Sequence, residues 1–148
     1  RAARLLADRG DLQTAAKMAQ AVVQSQRTPQ ALHLLALIAG EQGQPEHMRH
    51  LLEECVAQAP EYVQGQLSLG LWALRALDKP LAIEHLQRVV LLVASRPEDE
   101  MLEGPEPMRV SLARRLAEHG LHNLRQAERP AAPAGPRLAS RPGKGEAQ

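Results

Sequence analysis

Between Thr28 and Val93 the chain states one pattern twice. Leu35-Ala36 matches Leu69-Gly70, Ala39 matches Ala73, Gly43 falls opposite Leu77, Leu52 opposite Leu86 and Cys55 opposite Val89, always at the same offset. The first copy runs from Thr28 to Pro60 and the second follows from Glu61. A fixed period of about 34 residues is the signature of a helical solenoid, whose units cannot bury their apolar faces alone and stack on their neighbours to do so. An earlier copy is cut short, because Gly10-Asp11 stands almost one full period before Gly43-Gln44. The chain thus begins inside a repeat, and with Arg1 first and no initiator Met it reads as a processed product or a segment of something longer.

Composition narrows the fold class. The 148 residues are 44% apolar, enough for the core of one domain, yet they include no Phe, one Trp72 and one Tyr62. A core of Leu, Val, Ile and Ala suits helices in close approach and not an aromatic-rich sheet, so the expectation is all-α. The formal net charge of +1 gives no global field for nucleic acid or an anionic membrane, and neither is expected as a partner. Arg outnumbers Lys fifteen to three, a ratio that composition bias explains before function does. The lone Cys55 cannot form an internal disulfide. The opening RAARLLADRG lacks the apolar stretch of a signal peptide, and the longest apolar run, Val89 to Ala94, is too short to span a bilayer.

Each copy reads as two helices. Thr28-Pro29 supplies an N-cap and a first-turn proline, whose missing N–H costs nothing there. The helix that follows is apolar on more than one side, with Leu32, Leu34, Leu35, Leu37 and Ile38 relieved only by His33, until Gly40-Glu41-Gln42-Gly43 breaks it. Pro45 can open the next helix, which carries Met48, Leu51, Leu52, Cys55 and Val56 as one stripe and stops at Ala59-Pro60. The second copy predicts a helix from about Tyr62 to Leu77, a break at Asp78-Lys79-Pro80, and a helix from Leu81 to about Ala94 with Ile83, Leu86, Val89, Val90 and Val93 facing inward.

A hairpin with a small residue in each first helix (Ala36, Gly70), a glycine-bearing turn (Gly10, Gly43), a small residue opening one second helix (Ala82) and Pro60 closing the unit resembles the tetratricopeptide repeat over residues 1–94. The chain departs from that pattern at the family's bulky aromatic, replaced by Leu32 and by Gln66 or Leu67, at the turn glycine, which is Leu77 in one copy, and at Met48. The resemblance implies a right-handed α-solenoid of antiparallel hairpins, and a concave groove formed by the first helices. The groove residues it implies are Gln30, His33, Leu37 and Glu41 of one hairpin and Gln64, Leu67, Leu71, Leu74 and Arg75 of the next, with His33 and Arg75 at its polar edges. Members of the family that clamp an acidic C-terminus place Lys, Asn and Arg in this face. Leu37, Leu67 and Leu71 stand here instead, so the expected ligand is an apolar peptide or an amphipathic partner helix.

Beyond Ala94 the period fails. Residues 95–107 read as an acidic Pro/Gly loop, with Glu98, Asp99, Glu100, Glu103 and Glu106 among Pro97, Gly104, Pro105 and Pro107. Residues 108–129 read as a capping helix or a degenerate fourth hairpin turning at Gly120, and the polar outer face of Arg114, Arg115 and Glu118 favours the cap. Residues 130–148 hold four prolines, three glycines and one large apolar residue, Leu138, so this tail is expected to be disordered.

No catalytic constellation emerges. His47 and His50, and His119 and His122, are pairs without a third ligand, which leaves metal ions and cofactors out of the expectation. Cys55 has no electropositive neighbour and reads as a small hydrophobe, and the serines sit in no nucleophile motif. The expected function is a non-enzymatic protein-interaction module for a protein or peptide partner with an apolar face, either alone or as part of a larger assembly. The alternative is a scaffold segment of a larger enzyme or assembly factor whose groove is filled internally by the stretch from Met108 to Leu124.

Overall fold

The computed structural model describes residues 12–128. Six helices account for most of them: α1 (Leu12–Ser25), α2 (Pro29–Glu41), α3 (Pro45–Gln58), α4 (Val63–Arg75), α5 (Lys79–Val93) and α6 (Val110–Ala127). The expected turn at Gly10-Asp11 and the expected disordered tail lie outside the described residues. Both hairpins keep the period of the sequence, since the step from Pro29 of α2 to Val63 of α4 equals the step from Pro45 of α3 to Lys79 of α5. Helices adjacent in sequence pack on one another, and α6 reaches back to α4 as well, which is the neighbour-on-neighbour packing of a solenoid.

Local chemistry sets the ends. Thr28 Oγ1 accepts from the Ala31 N–H at 3.1 Å and Asp78 Oδ1 from the Leu81 N–H at 3.2 Å, each beside a proline in the first turn. The turn after α2 places Gly43 at φ 74°, in the left-handed region that glycine enters without penalty. α5 starts at Lys79, a little earlier than its apolar pattern alone indicates, because the Asp78 cap precedes Pro80.

The core forms as the period dictates. Leu52 and Leu86, equivalent residues of α3 and α5, are both fully buried, as are Leu32, Cys55, Val89 and Val93. Ile83 and Val90 are half-buried. Close approach depends on glycine at two places: a Cβ on Gly70 would come within 2.6 Å of the Leu86 side chain, and one on Gly120 within 2.8 Å of it. Leu86 therefore sits between α4 and α6. The glycine at 120 lets α6 continue unbroken as one helix against this site. Among the described residues no helix is long and apolar enough to cross a membrane.

Candidate functional site

The residues expected to line one groove part into four groups. His33, Gln64 and Leu67 are buried, each 2% exposed. Leu71 and Leu74 are half-buried against the core, where Gly120 of α6 closes over Leu74. Leu37, Glu41 and Arg75 reach an open cleft at the C-terminal ends of α2 and α4, while Gln30 lines a separate, smaller cavity beside Tyr62 and Leu102.

His33 is buried because it bridges the two first helices. Its Nδ1 lies 3.0 Å from the Tyr62 hydroxyl and its Nε2 2.7 Å from Ser68 Oγ, with the Tyr62 ring edge-on to the imidazole. Burial pushes the Tyr62 phenol up from its ordinary value, which keeps the hydroxyl protonated.

Gln64 is covered by the acidic loop. Its Nε2 donates to the Glu106 carbonyl at 2.7 Å and its Oε1 accepts from the Glu106 N–H at 3.4 Å. Gly104 makes this contact sterically feasible, since a Cβ there would overlap the Gln64 amide. The loop is closed on itself by an antiparallel bridge between Met101 and Arg109, in which Leu102 N–H donates to the Met108 carbonyl at 2.8 Å. Its carboxylates serve this closure: Glu98 pairs with Arg114, and Glu100 accepts from Arg96 at 2.7 Å, a bond that holds the Glu100 carboxyl below the usual range. Arg114 also donates to the Val93 carbonyl at 2.5 Å and so ties α6 to the end of α5. Of the residues expected in the groove, Gln64 is thus covered by the 95–107 loop, while α6 lies against Leu74.

What remains open is a cleft of about 650 Å³. Leu37, Met48 and Trp72 give it an apolar floor. Trp72 is anchored by its Nε1–H, which donates to the Pro45 carbonyl at 3.0 Å, and the Arg49 guanidinium lies 5.7 Å from its ring centroid. Arg49 in turn faces Glu46 at 3.7 Å and Glu53 at 3.3 Å. Among the described residues its charged lining consists of Glu41, Glu46, Glu106 and Arg75, with Glu46 already facing Arg49.

Three features have no counterpart in the sequence expectations. Trp72 carries the cleft floor, although its apolar size and uniqueness in the chain are visible in the sequence. The Gln64–Glu106 contact spans 42 residues and has no local signal. A buried relay also runs from the Pro60 carbonyl, which accepts from Gln66 Nε2 at 2.8 Å, through Gln66 Oε1 to His85 Nδ1 at 2.7 Å. Because a carbonyl only accepts, the Gln66 amide orientation is fixed, and Nδ1 of His85 must carry the proton. Burial lowers the His85 pKa and keeps the ring neutral.

The other candidates for chemistry separate. His47, His50, His119 and His122 are exposed, the last two meeting Asn123 and Gln126 one turn on. Among the described residues no three potential metal ligands converge. Cys55 is buried beside the Pro29 carbonyl, and burial pushes its thiol up to about 12.

No family model and no curated protein matches the chain in sequence. A solved structure does match in fold: the TPR domain of Sgt2 from Aspergillus fumigatus superposes with a TM-score of 0.62 over 87% of this chain and 81% of that one, at 17% sequence identity. With the helices of the described residues stacked in adjacent hairpins at one constant period, the fold is a tetratricopeptide-like α-solenoid.

Proposed function

We propose that this chain is a non-catalytic protein-interaction module whose binding site is the cleft between the C-terminal ends of α2 and α4. The observation that carries the reading is the open cavity of about 650 Å³ floored by Leu37, Met48 and Trp72, on a scaffold of the tetratricopeptide type. An anchored tryptophan beside aliphatic side chains is the kind of surface on which one inserted residue supplies most of the affinity. The sole thiol stays protonated at neutral pH, which favours binding over nucleophilic chemistry. Its ligand is a peptide or the apolar face of a partner helix. The alternative reading, a scaffold with an internally filled groove, draws support from the loop on Gln64, but that loop leaves the Trp72 end open.

Site-specific cross-linking tests this. A photo-reactive benzoylphenylalanine at Ala76, on the cleft rim, is expected to capture a partner protein in cells, whereas one at Leu91, exposed on α5, is not. Capture from Leu91 with none from Ala76 overturns the assignment of the site.

A further inference from the structure

A second depression, of about 380 Å³, lies where the acidic loop meets the start of α6, and it shares no lining residue with the cleft. The bridge between Met101 and Arg109 builds it, by holding the loop against the head of the helix. Leu102 is buried beside this bridge, whereas its neighbour Met101 is left 50% exposed. Pro107, Met108 and Leu112 continue the apolar surface from Met101, and Leu112 is exposed as well. Apolar side chains scattered singly on a surface need no explanation, but a contiguous group of four in a concavity marks a contact site. Two of the chain's four methionines stand here, and the flexible methionine side chain adapts its shape to an apolar partner.

The charge of this surface has one sign. Arg109 and Arg115 are its only charged lining residues, both are exposed, and neither enters an ion pair among the described residues. Arg109 donates to the Asp99 carbonyl, a neutral acceptor that leaves the guanidinium charge in place. Glu98 and Glu100 of the loop are committed to Arg114 and Arg96, and the first turn of α6 holds no acid. A ligand carboxylate therefore meets two cations without displacing an existing partner, and such complementarity selects the sign of the ligand. Met and Arg are also side chains that protein interfaces favour over the rest of a surface. The concavity decides the class of macromolecule: a bilayer surface is too flat to fill it, and no aromatic side chain lines it for a nucleic-acid base to stack on. The chain's own tail is electrostatically unsuited, since beyond Arg129 it carries Arg137, Arg141 and Lys144 against one Glu146.

We propose that this depression is a second docking site, which takes an acidic segment of a partner protein with one or two long aliphatic side chains among its Glu or Asp residues. The aliphatic side chains rest on Met101, Met108 and Leu112, and the carboxylates pair with Arg109 and Arg115. The site stands apart from the cleft and does not depend on the cleft binding anything.

The methionines report on it, because Met101 and Met108 line the depression, Met48 lines the cleft and Met18 stands on α1. The test follows the full chain by NMR, isotope-labelled at the methionine methyl groups. It is titrated with a short synthetic peptide holding two leucines among Glu and Asp, and with a counterpart that has Lys in place of every acid. The acidic peptide is expected to shift Met101 and Met108 saturably, to leave Met18 and Met48 unmoved, and to bind more weakly with added salt. The Arg115→Glu substitution breaks none of the contacts among the described residues, so Met18 and Met48 should keep their positions. Its Kd for the acidic peptide should rise about five-fold or more, as one charge pair turns repulsive. Shifts at Met48 instead would seat the peptide in the cleft and overturn the inference. An equal response to the Lys peptide, or no response to either, also overturns it. So does a response of Met101 and Met108 to phosphatidylserine vesicles without one to the acidic peptide, which would make this surface a membrane contact. A Leu138→Glu substitution that moves these two methyls without peptide would place this chain's own tail here, and movement on dilution would place a second copy. Either result overturns the assignment to a separate partner.

Discussion

Leu77 holds φ at 61° in the turn between α4 and α5, at the position where Gly43 holds φ at 74° in the turn between α2 and α3, one repeat earlier. The repeat imposes one left-handed turn on two residues of very different tolerance. A side chain in this region carries a cost of about 1–2 kcal/mol, and Leu77 is 86% exposed, so it recovers little by packing. Leu77→Gly should therefore stabilise the fold by about 0.5–1 kcal/mol after the added chain entropy of glycine is counted. Gly43→Ala should destabilise it by about 1 kcal/mol, for conformational reasons alone, because nothing lies within 4 Å of the added Cβ. Urea denaturation of both variants checks the pair, and shifts of the same sign would show that the two turns are not equivalent.

Leu86 fills the space that Gly70 and Gly120 leave open, and truncation to Ala should cost about 2–5 kcal/mol, as should Leu52→Ala at the equivalent site. Gly70→Ala forces its Cβ against the Leu86 side chain and should also destabilise. Once Leu86 is Ala, however, the methyl group has room. The double variant is expected to be more stable than the sum of the single losses, and a double-mutant cycle by chemical denaturation measures that coupling.

Acid should weaken the fold through His85. Its folded pKa lies below its ordinary value, so on acidification the unfolded chain takes up a proton first. Stability falls as pH drops from about 6.5 toward the depressed folded value, and the loss is complete below that value. The His85→Gln variant can still donate to Gln66 and should show a flatter profile in this window. Glu100, held by Arg96, and Glu54, which accepts from Arg27 at 2.7 Å, have lowered values, so their contributions disappear at lower pH, below about 4.5. Thermal melts of both proteins from pH 7.5 to 5 compare the slopes, and identical slopes would remove His85 as the cause.

Gln64→Ala removes both bonds to the Glu106 backbone and should cost about 1–3 kcal/mol, since the loop loses its partner on α4. Gly104→Ala should release the same loop by steric clash. Faster amide exchange confined to residues 101–107 in both variants is the expected signature. Exchange that rises across all of α4 instead would mean that the loop supports the helix rather than merely resting on it.

Helix pairing, the burial of Leu52 and Leu86 and the turn at Gly43 are legible in the amino-acid sequence because they depend on spacing along the chain. The repeat period sets which residues of successive hairpins meet, and apolar periodicity sets which face of each helix turns inward. The groove is legible only in part. Leu37, Glu41 and Arg75 reach the cleft, but His33 is drawn inward by Tyr62 and Ser68, and Gln64 is covered by the loop.

An all-helical stack with an aliphatic core follows from the order of residues alone, because repeat length and side-chain spacing are local quantities. Which of the residues expected in the groove stay open follows only from the folded packing. It depends on where a non-repeating loop lands, and that landing is set by contacts between groups distant along the chain, such as Gln64 and Glu106. No periodicity encodes such a pairing. It arises where a glycine without a side chain, Gly104, lets the backbone approach a buried amide closely enough to bond.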